Sequence, residues 1–205
     1  MRKKKKNSNS QKMFLAFVAI IFLISSVGSV VLYSGNNNDP ESFSIDLSNG
    51  KYKFDRRTDT YGNYYYDVTS KEGADFDAFY LPDKLYLDIP KDAQSLIQNS
   101  NYFYITFDPT QEDLSTVDFV RFEVRNNAPS SKFFIDSVIS ENSIYSFPIL
   151  DCSNATINSP VVFLKSSNDT NINYENYCLE IEFVPQSTLQ IKDALVYLLQ
   201  GIDIG

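Results

Sequence analysis

The chain contains no histidine among its 205 residues. This absence excludes nucleophiles that histidine activates, as in Ser-His-Asp and Cys-His arrangements, and it excludes metal sites with histidine ligands. The sequence also has no glycine-rich phosphate loop, no CxxC pair and no EF-hand spacing. We therefore expect no catalytic residue and no cofactor of these kinds, and a non-enzymatic role is favoured.

Glycine and proline are also scarce, at 7 and 8 residues, whereas hydrophobic residues make up 43% of the chain and aromatic residues 15%. This composition excludes a disordered or fibrous chain. Without the first 33 residues about 170 remain, which is enough for one domain with a sizeable core.

No acidic residue precedes Asp39, and six of the 18 basic residues lie in the first 12 positions. The remaining 12 basic residues stand against 26 acidic ones, a net charge of −14. Such a surface repels phosphate backbones, so nucleic acid is not an expected partner.

Met13 to Tyr33 is a largely apolar run of 21 residues without a charge. At about 1.5 Å per residue, a helix of this length crosses a hydrocarbon core of about 30 Å. Because the basic residues precede this run, the positive-inside rule predicts a cytoplasmic N-terminus. We expect a basic cytoplasmic tail (1–12), a transmembrane signal-anchor in contact with lipid (13–33), a linker (34–41) and an extracytoplasmic globular domain (42–205).

A cleaved signal peptide is the alternative, because Ser26, Val27 and Gly28 supply small residues where a signal peptidase cuts. Cleavage near Gly28 would give a secreted protein. We favour the retained anchor in the cell membrane, because the apolar run continues past Gly28 to Leu32.

The pattern of apolar residues predicts a β meander followed by a mixture of strands and helices. Strands are predicted at 42–45, 51–54, 64–68, 102–107, 133–139, 161–165 and 179–184, with an edge strand or extended connection at 76–90. Helices are predicted at 92–97, from Thr110 to about Asn127, and at 189–199, the last with an apolar face of Ile191, Leu195, Val196 and Leu199. The expected fold is α/β or α+β, one domain with a mixed sheet covered by helices; an all-β sandwich is the alternative.

Cys152 and Cys178 are the only cysteines, and both lie in the part predicted to be outside the cytoplasm. A structural disulfide is therefore favoured over two free thiols. Two glycosylation sequons lie between them, at Asn154 and Asn168.

Carboxylates are the remaining candidates for chemistry, either as acid pairs or as ligands of a hard cation. Asp108 ends a predicted strand just before a predicted helix, at the edge where α/β sheets place ligands. With Glu112 and Asp113 it is a candidate for a Ca²⁺ or Mg²⁺ site. A structural role in the turn and at the start of the helix is the favoured interpretation. The other acidic candidates are Asp75, Asp77, Asp83 and Asp88.

Tyr61, Tyr64, Tyr65 and Tyr66 form a tyrosine-rich run that could offer flat rings to a sugar or a protein. Alternation along a strand favours the simpler interpretation, in which one ring is packed and the next is exposed.

Several segments resemble uncharacterised single-pass proteins of small-genome archaea, over most of residues 43 to 202. They are NYFYITFDPTQEDL, VDFVRFEVRN, DCSNATINSPVVFLKSSNDTNINYENYCLEIEF and KDALVYLLQGI, together with the lysine-rich start and the single apolar run. The resemblance implies an archaeal cell surface and two cysteines retained for the fold. It supplies no activity, cofactor or catalytic residue.

The sequence therefore predicts a membrane-anchored, non-enzymatic module that binds a surface protein or glycan. One alternative is an extracytoplasmic enzyme that uses carboxylates or a divalent metal, which would need convergent acids in a cleft and a raised carboxylate pKa. Another is an accessory subunit of a membrane assembly, since Ser25, Ser26, Gly28 and Ser29 permit close helix contact. An exposed aromatic or apolar patch would favour the binding module.

Overall fold

The first sheet, called here the meander sheet, has four antiparallel strands in chain order. They are β1 (Ser42–Leu47), β2 (Gly50–Thr58), β3 (Tyr64–Ser70) and β4 (Asp75–Ala78). The structure is a computed structural model that describes residues 42–47, 50–70 and 75–204. Tyr52, Phe54, Val68 and Phe76 are buried on one face of this sheet. The alternation of buried and exposed residues follows from the two-residue repeat of a strand.

The second sheet, called here the mixed sheet, has five strands in the order β6-β5-β7-β9-β8. Its strands are β5 (Tyr102–Phe107), β6 (Phe133–Val138), β7 (Val161–Ser166), β8 (Asn171–Glu175) and β9 (Cys178–Phe183). β5, β6, β7 and β9 are parallel, and β8 pairs antiparallel with β9 at one edge.

Three α-helices lie in the described residues: α1 (Lys91–Asn99), α2 (Leu114–Asn127) and α3 (Thr188–Leu199). α2 connects β5 to β6 and contacts the face of the mixed sheet that carries Phe107, whose ring lies 5.4 Å from the Arg121 guanidinium of α2. The next connection, residues 139–160, has no α-helix. Its Tyr145 and Phe147 rings pack against Phe107 on the α2 face, and the chain then passes to the opposite face. There the Thr106 hydroxyl donates a 2.6 Å hydrogen bond to the carbonyl of Leu150.

α3 lies in the hydrophobic core that the inner faces of both sheets share. All nine residues from Ile191 to Leu199 are buried. The helix is followed by Gly201 at φ 73°, with Ile202 N–H bonded to the carbonyl of Tyr197 and Gly201 N–H bonded to that of Leu198. This is a Schellman motif, which needs a residue with a positive φ and therefore favours glycine.

These elements confirm a mixed α+β fold and do not support the all-β alternative. The meander was predicted, but it forms a sheet of its own instead of the entry to one mixed sheet. The predicted closing helix is confirmed, with Ile191, Leu195, Val196 and Leu199 buried. Its amphipathic character is not, because every residue from Ile191 to Leu199 is buried.

The prediction that α2 begins at Thr110 is also wrong. The helix begins at Leu114 after Asp113, which has a left-handed backbone at φ 52°. Residues 109–113 form turns before the helix. Glu112 and Asp113 therefore lie before the first helical turn and not within it.

Within the described ranges, no helix has the length and apolarity needed to cross a membrane. The predicted anchor at 13–33 lies outside the described residues, as do the basic tail and the linker.

Candidate functional site

Asp108 follows β5 at the point where the chain order of the mixed sheet reverses, because β6 flanks β5 on one side and β7 on the other. Its Oδ1 atom accepts hydrogen bonds from the backbone N–H of Thr110 at 2.8 Å and from the Thr110 hydroxyl at 2.7 Å. Asp108 therefore forms an Asx turn, in which its carboxylate accepts hydrogen bonds from a residue two positions later.

Glu112 and Asp113 are exposed in the same loop. No group of three or more acidic or cysteine side chains in the described part of the chain is arranged to hold a metal ion. The metal site at Asp108, Glu112 and Asp113 stays a prediction.

The other acidic candidates lie apart from this loop. Asp75 and Asp77 are on the outer face of the meander sheet, where Asp77 pairs directly with Asp67 of β3. Burial raises the pKa of Asp77, and the charges of Asp67 and Asp75 raise it further, against the opposing charge of Lys192. Asp83 forms an ion pair with Lys84 at 3.4 Å, and Asp88 is exposed.

The predicted disulfide between Cys152 and Cys178 is confirmed. Cys152 begins a short 3-10 turn in the connection that crosses the outer face of the mixed sheet, and Cys178 is the first residue of β9. The bond ties this connection to the sheet. Asn154 and Asn168 are both exposed, and Asn154 uses its Oδ1 atom, not its Nδ2 atom, to accept the N–H of Asp151.

The tyrosine run does not form one platform. Tyr61 lies at the β2–β3 turn and is 87% exposed, whereas Tyr66 packs edge-on against Phe43 and Phe54. Tyr64 lies under the Arg56 guanidinium, 4.7 Å from it. This agrees with the simpler interpretation of alternating rings.

The edge of the mixed sheet at β6 is open over Phe133–Ser137, since no described strand pairs with it there. Phe133 N–H bonds to the Asn101 carbonyl before β5, and Ile139 N–H bonds to the Phe107 carbonyl. Odd-numbered residues of β6 therefore direct their backbone groups toward β5. The N–H and C=O groups of Phe134 and Asp136 point to the open edge.

The open stretch ends at Val138. Its N–H bonds to the Pro148 carbonyl, and its own carbonyl accepts the N–H of Leu150, both at 3.0 Å. Residues 148–150 thus cover the end of the edge and leave five residues uncovered.

An apolar patch adjoins this edge on the outer face of the sheet. Phe133 is 65% exposed and Ile135 is 39% exposed. Their register partners on β5 are Tyr102 and Tyr104, whose hydroxyls are 2.9 Å apart and whose rings meet edge-on at 5.3 Å. These four side chains form the β6 patch.

Asp136 is the only charged residue of β6. Its side chain lies on the face opposite the β6 patch, toward α2, and is 4% exposed. The carboxylate forms ion pairs with Arg125 and with Arg121, the latter at 2.9 Å. Arg125 also lies over the Phe134 ring at 5.3 Å. The charge of the edge strand is therefore neutralised within the protein.

Arg121 is held in an aromatic box of Phe107, Tyr145 and Phe147, with its guanidinium 5.2 to 5.9 Å from the three ring centres. Asp118 accepts its hydrogen bond at 2.8 Å and also accepts the Tyr145 hydroxyl. Burial and this bond raise the pKa of Tyr145 to about 12. The box is filled by the protein's own arginine, so its role is structural.

No family model, curated protein or solved structure matches this chain. The site is therefore argued from its geometry alone. The sequence pattern identified β6 as a strand but not as an open edge, because strand order depends on pairing between distant segments.

Proposed function

We propose that the chain is a non-enzymatic binding module, held at the outer surface of a membrane by residues 13–33, that binds an extended segment of another protein along β6. The observation that carries this proposal is the open edge at Phe133–Ser137 beside the exposed apolar β6 patch. The 21-residue uncharged run and the resemblance to single-pass surface proteins support the placement.

Strand addition fits this edge because the partner's backbone can bond to the N–H and C=O groups of Phe134 and Asp136. Exposed apolar edges are otherwise an aggregation hazard, which proteins usually block with charges or proline. Here the one charged residue, Asp136, points to the helical face and is paired with two arginines.

Charge also selects the partner. An acidic or basic segment would find no unpaired opposite charge on β6, whereas an uncharged segment with alternating apolar residues would bury Phe133 and Ile135. We therefore assign an uncharged, apolar, extended segment as the occupant of the edge.

The test uses the full-length chain in detergent and a synthetic peptide of alternating threonine and valine with a fluorescent label. We expect saturable binding by fluorescence anisotropy. The control peptide has the same side chains but carries N-methyl groups on the residues that face β6. It should bind about tenfold or more weakly, because N-methylation removes the backbone donors.

Two protein variants localise the binding. Ile135→Lys places a charge on the edge strand and should abolish binding, whereas Tyr61→Lys, at the exposed β2–β3 turn, should not change it. Equal binding of the N-methylated peptide, or unchanged binding to Ile135→Lys, would refute strand addition. A concentration-dependent dimer that Ile135→Lys dissociates would assign the edge to a second copy instead.

The membrane placement has a separate test. In the native host the full-length chain should fractionate with membranes, and protease added from outside should remove the domain. A soluble chain protected by the intact cell would overturn the placement but not the peptide result.

A further inference from the structure

A second surface, distinct from the β6 edge, is marked by a residue in an unfavourable backbone conformation. β8 and β9 are joined by the two-residue turn Asn176–Tyr177, in which φ is 50° for Asn176 and 66° for Tyr177. Positive φ at both positions is the type I′ turn, which favours asparagine first and glycine second. A left-handed backbone costs an ordinary L residue about 1–2 kcal/mol, so tyrosine is a poor choice here for stability.

The surrounding structure holds this turn in place. Cys178, the next residue, is bonded to Cys152, and the Tyr177 carbonyl accepts the N–H of Val161 at 3.1 Å. The Tyr177 side chain is 41% exposed, so only part of it gains from packing. Strained residues that are fixed by their surroundings occur preferentially at functional sites.

Tyr177 lines an open groove of about 480 Å³ between α1, the β8–β9 turn and residues 157–158. Tyr174 lines the same groove with the amides of Asn99, Asn101 and Asn158 and the carboxylate of Asp92. Burial raises the pKa of Tyr174, and the charge of Asp92 adds to this effect. None of the described residues that line the groove is basic.

The chemistry of this lining selects a neutral ligand with many hydroxyl groups. Side-chain amides donate and accept hydrogen bonds at once, as sugar hydroxyls do, and a carboxylate accepts from them. A tyrosine ring adds an apolar face with a polar rim, which suits the C–H face of a sugar ring. The lack of a basic side chain argues against an anionic ligand, and the volume lies in the range of small-molecule sites.

We propose that the groove between α1 and the β8–β9 turn is a saccharide-binding site in which the Tyr177 ring stacks on the sugar. The site is independent of strand addition at β6. Contact between the ring and the ligand accounts for a tyrosine at a position better suited to glycine.

The test measures binding of mannotriose, maltotriose and chitotriose by calorimetry, with the full-length chain in a detergent that has no sugar head group. At least one trisaccharide should bind, with a Kd in about the micromolar to millimolar range. Tyr177→Gly should weaken this binding about tenfold or more and at the same time raise the melting temperature, because glycine accepts the positive φ. If Tyr177 had only a structural role, Tyr177→Gly would not lower the sugar affinity while raising the melting temperature.

Two further variants complete the test. Tyr177→Phe keeps the ring and should retain most of the affinity, and Tyr61→Ala, at an exposed turn elsewhere, should leave both affinity and stability unchanged. The proposal is overturned if none of the three sugars binds at about 10 mM, or if Tyr177→Gly binds as tightly as the original chain.

Discussion

Replacing Lys192 with methionine should destabilise the fold by about 3–5 kcal/mol at neutral pH, because it leaves a buried carboxylate without its counter-ion. Lys192 and Asp193 lie on α3 with side chains 1% and 0% exposed, and the Nζ and Oδ1 atoms are 2.5 Å apart. Nζ also donates to the Asp77 carbonyl at 2.6 Å. Asp193 Oδ2 accepts the backbone N–H groups of Phe79 at 2.7 Å and Tyr80 at 2.8 Å.

The same change should make stability depend on pH. Burial raises the pKa of Asp193 above its ordinary value of 3.8, although Lys192 and the two backbone donors lower it. Without Lys192 the pKa of Asp193 rises further. An acid with a raised pKa in the folded state contributes most stability below its ordinary pKa, and this contribution is lost as the pH rises through the folded value. The loss in free energy of unfolding caused by Lys192→Met should therefore be largest at pH 7 and become smaller toward about pH 4.

The assay is urea denaturation of the original chain, Lys192→Met, Asp193→Asn and the double variant, each at pH 7 and at about pH 4.5. The double variant keeps an oxygen acceptor for Phe79 and Tyr80 and carries no buried charge. It should lose less stability than the sum of the single variants, by about 2 kcal/mol or more. A loss below about 1 kcal/mol for Lys192→Met at pH 7, or a loss that does not change with pH, would refute the reasoning.

Two other predictions concern the connection between β6 and β7 and its neighbours. Replacing Cys152 and Cys178 with serine should lower the free energy of unfolding by about 3.5 kcal/mol, the chain-entropy value for the 26-residue separation, and urea midpoints with and without reductant measure this. A midpoint that reductant does not change would contradict it. Arg121→Met should cost about 3 kcal/mol in thermal or urea denaturation, because Asp136 loses a buried partner. Arg121→Lys should cost less because it keeps the charge, and equal losses would contradict a charge-based role.

The sequence predicted the elements that have local signals. Tyr102–Phe107 was predicted with its observed bounds, because aromatic and β-branched residues alternate there and Asp108-Pro109 ends the strand. The start of α2 was misplaced because Thr110 resembles a helix cap. In the structure Asp108 captures both the N–H and the hydroxyl of Thr110, so this residue belongs to a turn.

Other features depend on long-range packing and were missed. β8 (Asn171–Glu175) is a polar edge strand with no continuous apolar run, so its sequence gave little signal. Lys192 and Asp193 look like surface residues in a local pattern. Their burial follows from the packing of β4 and the residue after it, since the backbone of Asp77 and Phe79 bonds to them.

The two candidate surfaces, the β6 patch and the groove at Tyr177, also depend on long-range packing that the sequence does not reveal. The alternation of Phe133 and Ile135 was visible, but their exposure on an open edge follows from the strand order. Tyr177 could have been noticed from the Asn-Tyr pair between Tyr174 and Cys178, where a two-residue turn requires positive φ. The disulfide was predicted because the chain offers only one pairing.

The position of α3 has a consequence for biosynthesis. Both sheets precede α3 in the chain, yet their inner faces share one core with it. During synthesis neither sheet can complete the burial of its apolar side chains until residue 199 has left the ribosome. Until then the nascent chain exposes Phe54, Phe103 and Ile181, and it should need protection by chaperones.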